Sequence, residues 1–146
     1  MSDVLVVFGT ESGNAEMAAD DIASSLSLRG VVAEVKSMED VSADELSAVT
    51  ELLVVTSTYG EGELPETTAP FFADLVAAQP DLSNVDFYAF GLGDSTYAKF
   101  NNAIDVVVAK LIDLGASQVG ETGRHDAASG KSVTSVAQAW IDKVYK

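Results

Sequence analysis

Short apolar segments alternate with helical patterns along this chain, and this alternation restricts its fold more than any other feature. Three segments are rich in branched or aromatic residues and lie between turn-forming residues, as is typical of strands buried on both faces: Val4 to Phe8, Leu52 to Val55 and Phe87 to Phe90. Two more polar segments, Val31 to Val35 and Ser117 to Glu121, suit the edges of a sheet. We therefore predict five strands that alternate with helices in a parallel sheet covered on both faces.

Apolar residues recur at three- and four-residue spacing between the predicted strands, which is the spacing of a buried helix face. Three long patterns of this kind and two shorter ones are present, over 15–26, 100–111, 133–144, 43–49 and 67–78. Gly30 and Gly115 follow the first two long patterns and are typical helix stops. Trp140 lies on the apolar face of the last helix, so we assign it to the core rather than to a ligand site.

The arrangement of the strands predicts where a ligand would bind. With the three apolar strands at the centre and the polar ones at the edges, the order is 2-1-3-4-5. Ligands of such open sheets bind beyond the carboxyl ends of the strands, near the point where the order reverses. That point brings together three loops, 9–14, 57–66 and 91–101. A chain of 146 residues with no internal repeat or linker is expected to form a single domain over 1–146.

The first of these loops has the composition of a phosphate site. The hydroxyls of Thr10 and Ser12 and the backbone N–H groups of the following helix would meet a phosphate where the helix macrodipole is positive. Only Gly9 and Gly13 occur and no lysine follows, so the loop matches neither the P-loop nor the dinucleotide pattern. ATP and NAD are therefore not the favoured ligands. An ordinary strand-to-helix turn, capped by Ser12 or Asn14, would show the same residues.

The second and third loops each carry a tyrosine among glycines. Tyr59 and Tyr97 could stack on the two faces of a flat ring, which is worth ~0.5–1.5 kcal/mol beyond the buried area. The glycines would let backbone groups reach the polar edge of that ring. Taken singly, each tyrosine could instead cover loop backbone. Together with the first loop, they predict a flat heteroaromatic ligand with a phosphate tail.

Three segments, in the same order as in the family, resemble the ligand-binding loops of flavodoxins. Thr10 to Asn14 is similar to the T-x-[ST]-G-N phosphate loop. Ser57 to Gly62 and Phe90 to Asn101 are similar to the flavin-stacking loops, above all those in the FMN domains of diflavin reductases. The resemblance implies a flavodoxin-like three-layer α/β/α sandwich, with a five-stranded parallel sheet and FMN as the cofactor.

The resemblance also implies a role for each matching residue. Tyr59 would cover the inner face of the flavin ring and Tyr97 its outer face, while Asp126, after strand 5, would lie near the ribityl or dimethylbenzene side. The residues around the phosphate would be Thr10, Glu11, Ser12, Gly13, Asn14 and Ala15, with Ser57 and Thr58 beside them. The residues whose backbone faces the ring edge would be Gly60, Glu61, Leu92, Gly93 and Asp94, with Phe100 and Asn101 completing the third loop. Ala15 departs from many flavodoxins, which have threonine there, and Asp94 replaces an asparagine common in the diflavin class.

Composition limits the partners of this chain. It has 23 acidic and 8 basic residues, so its net charge of -15 should repel nucleic acid and anionic membranes and attract a basic partner. A high-salt habitat would favour the same composition. The absence of cysteine excludes disulfides, thiolate metal sites and cysteine nucleophiles. No apolar run approaches the ~18 residues of a membrane span, and the N-terminus lacks a signal-peptide pattern, so we expect a cytoplasmic protein. We also expect it to be a monomer.

These features predict a low-potential electron carrier. The carboxylates of Glu61, Glu63, Glu66 and Asp94 should oppose negative charge on a reduced flavin. Electrons would come from a flavin or iron–sulfur reductase and pass to a basic-faced acceptor oxidoreductase or cytochrome, without substrate turnover. The alternative is an FMN-dependent quinone or azo reductase on the same fold. It would need a substrate pocket over the ring, where Tyr97 is expected to stack.

Overall fold

A computed structural model of the protein describes residues 4–9, 13–58, 64–94 and 102–145. The strands in these ranges are β1 (Val4–Gly9), β2 (Ala33–Ser37), β3 (Glu51–Ser57), β4 (Asp86–Gly93), β5 (Ser117–Gln118) and β6 (Gly123–Asp126). They form one parallel sheet in the order β2-β1-β3-β4-β5, and β6 also pairs with β4. The predicted order 2-1-3-4-5 is confirmed.

The fifth predicted strand is wrong in one respect, because it is broken into β5 and β6. Gly120 has a positive φ of 72° between the two pieces, and a Cβ there would lie 2.7 Å from Val144 Cγ1. The Gln118 amide donates to the Thr122 hydroxyl at 2.8 Å across the break. The N–H of Val119 still donates to the Phe87 carbonyl of β4 at 2.8 Å, so the backbone leaves the sheet after Val119 and resumes pairing at Gly123. Strand structure therefore extends to Asp126 rather than ending at Glu121.

The helices agree with the predicted patterns in place and differ at their ends. They are α1 (Asn14–Ser27), α2 (Ala43–Leu46), α3 (Thr68–Ala78), α4 (Asn102–Asp113) and α5 (Val133–Val144), with single 3₁₀ turns at Met38–Asp40 and Ala127–Ser129. The second helix is shorter than predicted. A capping box between Ser42 and Glu45 starts it, and Ser47 already ends it.

The core lies on both faces of the sheet. Leu5 and Val7 of β1 point towards α3 and α4, whereas Val4, Val6 and Phe8 point towards α1 and α5. This alternation is the two-residue period of a strand buried on both sides. Trp140 is 7% exposed and donates its indole N–H to the Glu121 carbonyl at 3.0 Å, so its assignment to the core is confirmed. Within the described ranges, no helix has both the length and the apolar character that crossing a membrane requires.

Candidate functional site

The register of the sheet places the ends of the predicted loops side by side. Gly9 is opposite Thr56, and Thr56 is in turn opposite Gly91. One step further along, Ser57 is opposite Leu92, and Gly93 is opposite Asp126. One edge of the sheet thus holds four chain segments: the end of β1, the start of the second loop, the start of the third loop and the end of β6.

The N-terminus of α1 follows this edge directly. Gly13 precedes the helix with φ 91° and ψ -4°, a left-handed conformation that glycine adopts without strain. Asn14 is exposed, whereas the Ala15 side chain is fully buried in the core against the sheet. A phosphate at this point could therefore meet the backbone N–H of Ala15 but not its side chain. Thr10, Glu11 and Ser12 lie outside the described residues.

Thr58 joins the second loop to two other elements. Its N–H donates to the Leu92 carbonyl at 2.8 Å, and its hydroxyl oxygen accepts the N–H of Ala103, in the first turn of α4, at 3.0 Å. The hydroxyl proton of Thr58 is not used in that bond and could donate to a phosphate. Ser57 beside it is half-buried. Tyr59, Gly60 and Glu61 lie outside the described residues.

The third loop is described only at its start. The Leu92 side chain is buried against α1 and α5, so it is not available to a ligand. The Leu92 carbonyl accepts the N–H of Thr58, so Leu92 would contact a ligand through other backbone atoms. Gly93 and Asp94 are half-buried at the same edge. Tyr97, Phe100 and Asn101 lie outside the described residues.

Asp126 follows β5 and is the last residue of β6, because pairing with β4 resumes past the break. Its carboxylate accepts the N–H of Ala128 at 2.9 Å, and its carbonyl accepts the hydroxyl of Ser129 at 2.7 Å. Asp126 therefore caps the 3₁₀ turn that follows. The adjacent His125 is also engaged, since its Nε2 lies 2.8 Å from the Lys131 carbonyl oxygen.

Sequence reasoning missed a buried hydroxyl pair directly below the edge. The Oγ1 atoms of Thr56 and Thr68 are 2.8 Å apart, and neither side chain has exposed surface. A Cβ on Gly9 would overlap Thr68 Oγ1 and lie 2.8 Å from Met38 Sδ, so only glycine fits at that position. Two threonines bounding a glycine-containing loop were the available signal, but hydroxyl residues are common at strand and helix ends.

An acidic groove lies beside the same end of the molecule. It has a volume of about 630 Å³, and its floor includes Phe8 and Val35. Its acidic lining residues are Glu16 and Asp20 of α1 together with Glu39 and Asp40 of the 3₁₀ turn after β2. Lys36 is also part of the lining, and its ammonium group lies 3.4 Å from a carboxylate oxygen of Glu45. The net charge around the groove is therefore negative.

The donors at the strand ends fit the phosphate of FMN. The backbone N–H groups at the start of α1, a helix of 14 residues, supply a positive helix terminus, and the hydroxyls of Ser57 and Thr58 are neutral donors. Neutral donors and a helix dipole bind an anion without a salt bridge. The described residues thus suit a mononucleotide whose ring continues towards the second and third loops.

Comparison with known proteins agrees with this geometry. The Flavodoxin family model matches residues 6–140. Protein MioC of Escherichia coli O157:H7 is 34% identical over 141 residues, which cover 97% of this chain and 95% of MioC. NADPH-dependent diflavin oxidoreductase 1 of Yarrowia lipolytica is 35% identical over 141 residues, which cover 94% of this chain and 20% of that protein. The crystal structure of oxidised flavodoxin 2 from Bacillus cereus superposes with a TM-score of 0.85 at 28% identity, over 95% of this chain and 94% of that one. The chain therefore belongs to the flavodoxin family of FMN-binding electron-transfer proteins.

Proposed function

We propose that this chain is an electron carrier that receives electrons from a flavin or iron–sulfur reductase and passes them singly to a basic-faced oxidoreductase or cytochrome. The observation that carries the proposal is the meeting of strand ends beside a helix N-terminus. Gly9 adjoins Thr56, Ser57 adjoins Leu92, and α1 begins at Asn14. Electron exchange at such an edge requires only that a partner protein docks over it.

The chain's own residues would bind and orient the cofactor. FMN supplies the capacity to take up one or two electrons. Its phosphate would be held by the N–H groups of Asn14 and Ala15, by the hydroxyls of Ser57 and Thr58, and by the first loop. Residues proposed from the family resemblance complete the phosphate site, namely Thr10, Glu11, Ser12 and Gly13.

The ring would be held by the second and third loops. Tyr59 and Tyr97 would stack on its two faces and exclude water from them, which leaves one edge open for electron transfer. The backbone of Gly60, Glu61, Gly93 and Asp94 would contact the polar edge, and the half-buried Asp94 would disfavour negative charge there. These contacts would lower the potential of the bound flavin.

The acidic groove supports a partner with a basic face. Its acidic residues lie close to the proposed phosphate site: Glu16 and Asp20 belong to the first turns of α1, and Glu39 and Asp40 line the same groove. Together with the net charge of -15, they would attract a cationic surface and raise the association rate at low salt. The same field would repel anionic partners. This favours proteins with clustered lysine and arginine as donor and acceptor.

Binding of FMN is tested by titrating the apoprotein with FMN, FAD and riboflavin and following flavin fluorescence. We expect strong quenching with FMN, weaker binding of riboflavin because the phosphate is missing, and several-fold weaker FMN binding by Ser57→Ala. Ser47→Ala is the matched control, since its hydroxyl bonds to the Asp44 carbonyl in the α2 region. A protein that stays colourless in excess FMN would contradict the proposal.

The carrier role is tested with a reductase and a basic cytochrome in the same assay. Cytochrome reduction should require the reductase, NADPH and this protein together. Rapid NADH or NADPH oxidation with a quinone or an azo dye, and without added reductase, would instead support the quinone or azo reductase alternative.

A further inference from the structure

A buried pair of threonine hydroxyls joins the two ends of the second loop. Thr56 is the next-to-last residue of β3, and Thr68 is the first residue of α3. Their Oγ1 atoms are 2.8 Å apart, and both residues are 0% exposed. Everything from Ser57 to Thr67, including the second-loop residues Tyr59 to Glu61 that are proposed to contact the flavin ring, lies between them in the sequence. The hydrogen bond between them therefore links the end of β3 to the start of α3.

Hydrogen bonds continue from this pair into the backbone of the loop. The Thr56 hydroxyl reaches the Ser57 carbonyl oxygen at 3.1 Å as well as Thr68 Oγ1 at 2.8 Å, and either threonine can supply the proton between the two hydroxyls. The N–H of the same peptide unit, that of Thr58, donates to the Leu92 carbonyl at 2.8 Å. Both polar atoms of the Ser57–Thr58 peptide are thus held, immediately before Tyr59. Connected hydrogen bonds of this kind, buried and fully paired, restrict a structure to one conformation.

The Thr68 side chain also restricts which residue can stand at Gly9, where the first loop begins. Gly9 is paired with Thr56 in the sheet, and it is both the last residue of β1 and the first residue of that loop. The Thr68 side chain occupies the space that a Cβ on Gly9 would need. Thr68 thus contacts the exit of β1 while it bonds to the exit of β3.

We propose that Thr56 and Thr68 are positioning residues of the flavin site, which set FMN affinity through the Ser57–Thr58 peptide. The inference rests on the proposed binding of FMN at this edge. Since neither side chain is exposed, neither can touch a ligand bound outside the sheet. Their effect on FMN would be one of preorganisation: the Ser57–Thr58 peptide is held in place before the ligand arrives, which reduces the ordering that binding requires.

The experiment compares the wild type with a variant that lacks the Thr68 hydroxyl and with a variant that lacks the Thr68 methyl group. Thr68→Val removes the hydroxyl at nearly constant volume, and Thr68→Ser keeps it while removing the methyl group. We expect Thr68→Val to weaken FMN binding by about fivefold, the factor that corresponds to one net buried hydrogen bond. The visible circular dichroism of the bound flavin, which reports the surroundings of its ring, should change as well. Thr68→Ser should retain the wild-type affinity and spectrum.

The matched control is Thr134→Val, which removes a hydroxyl that bonds to Asp21 at 2.6 Å between α5 and α1. It should lower the stability of the apoprotein and leave FMN affinity unchanged. The inference is overturned if Thr68→Val destabilises the apoprotein while binding FMN like the wild type, or if Thr68→Ser weakens binding as much as Thr68→Val.

Thr56, the other residue of the hydrogen bond, provides a second test. Thr56→Val removes the same hydrogen bond and should weaken FMN binding to the same extent, and the double variant should bind no more weakly than either single one. Strictly additive losses would contradict a shared bond. If Thr68→Val does not fold, this variant and Thr68→Ser still decide the question. Failure of the proposed function is separate, because the wild-type titration with FMN would then fail before any variant is compared.

Discussion

The backbone N–H of Ala103 donates a hydrogen bond to the hydroxyl oxygen of Thr58 at 3.0 Å. Ala103 is the second residue of α4, and first-turn N–H groups have no partner within their own helix. Thr58 therefore caps a helix that begins 44 residues later in the sequence, at Asn102. Because this bond uses only an oxygen lone pair, the Thr58 hydroxyl proton can still reach towards a phosphate.

Replacing this hydroxyl should affect both stability and FMN binding. We expect Thr58→Val to lower the free energy of unfolding of the apoprotein by about 1 kcal/mol, the typical value for a lost cap. FMN affinity should fall as well, because the proposed phosphate donor is removed. Thr58→Ser keeps the hydroxyl and should restore most of both properties. Chemical unfolding and FMN titration measure the two effects, and a Thr58→Val variant with unchanged apoprotein stability would contradict the cap.

A side chain at Gly9 should be poorly tolerated. The Cβ of Gly9→Ala would overlap Thr68 Oγ1 and press on Met38 Sδ, and overpacking of this kind costs about 1–3 kcal/mol. The variant should unfold at lower denaturant concentration and bind FMN weakly, since the exit of β1 must shift. Gly30→Ala is the control: its φ of 80° is strained for alanine, but no atom lies within 4 Å of its Cβ and it is far from the site. It should lose stability without losing FMN affinity.

The unfolding free energy should decrease in strongly alkaline solution because of Tyr88. Burial, followed by the nearby Glu51 carboxylate, raises the pKa of Tyr88 from 10.0 to about 12. The folded protein thus holds the phenol proton more tightly, so this stabilising contribution is complete below pH 10 and is lost as the pH rises through about 12. Urea unfolding at several pH values should show the decrease, and Tyr88→Phe should show a shallower one. Equal slopes for the two proteins would contradict this assignment.

Electron transfer to a basic acceptor should depend on salt and on the acidic groove. Removing two charges with Glu39→Gln and Asp40→Asn should lower the second-order rate constant at low ionic strength and flatten its salt dependence. Asp86→Asn changes one charge at the start of β4, the opposite end of the sheet, and should have a smaller effect. Stopped-flow kinetics with a basic cytochrome measure the rates. A double variant as fast and as salt-dependent as Asp86→Asn would show that the groove does not steer docking.

The strand order and the grouping of the loops could be predicted because they depend on local patterns. The runs Val4 to Phe8 and Leu52 to Val55 are buried on both faces, and that property is visible in each run alone. The parallel order then forces the carboxyl ends together. The break between β5 and β6 was not predictable in this way. It depends on the close approach of Gly120 to Val144, a residue of another element.

The sequence by itself determined the layered fold and the order of its strands, because periodicity and short motifs are properties of neighbouring residues. Tertiary structure alone decided that Thr56 bonds to Thr68 and that Thr58 caps α4. Each of these hydroxyl groups has several possible partners in an extended chain. Only packing brings one of them within hydrogen-bonding distance and removes the water that would otherwise compete.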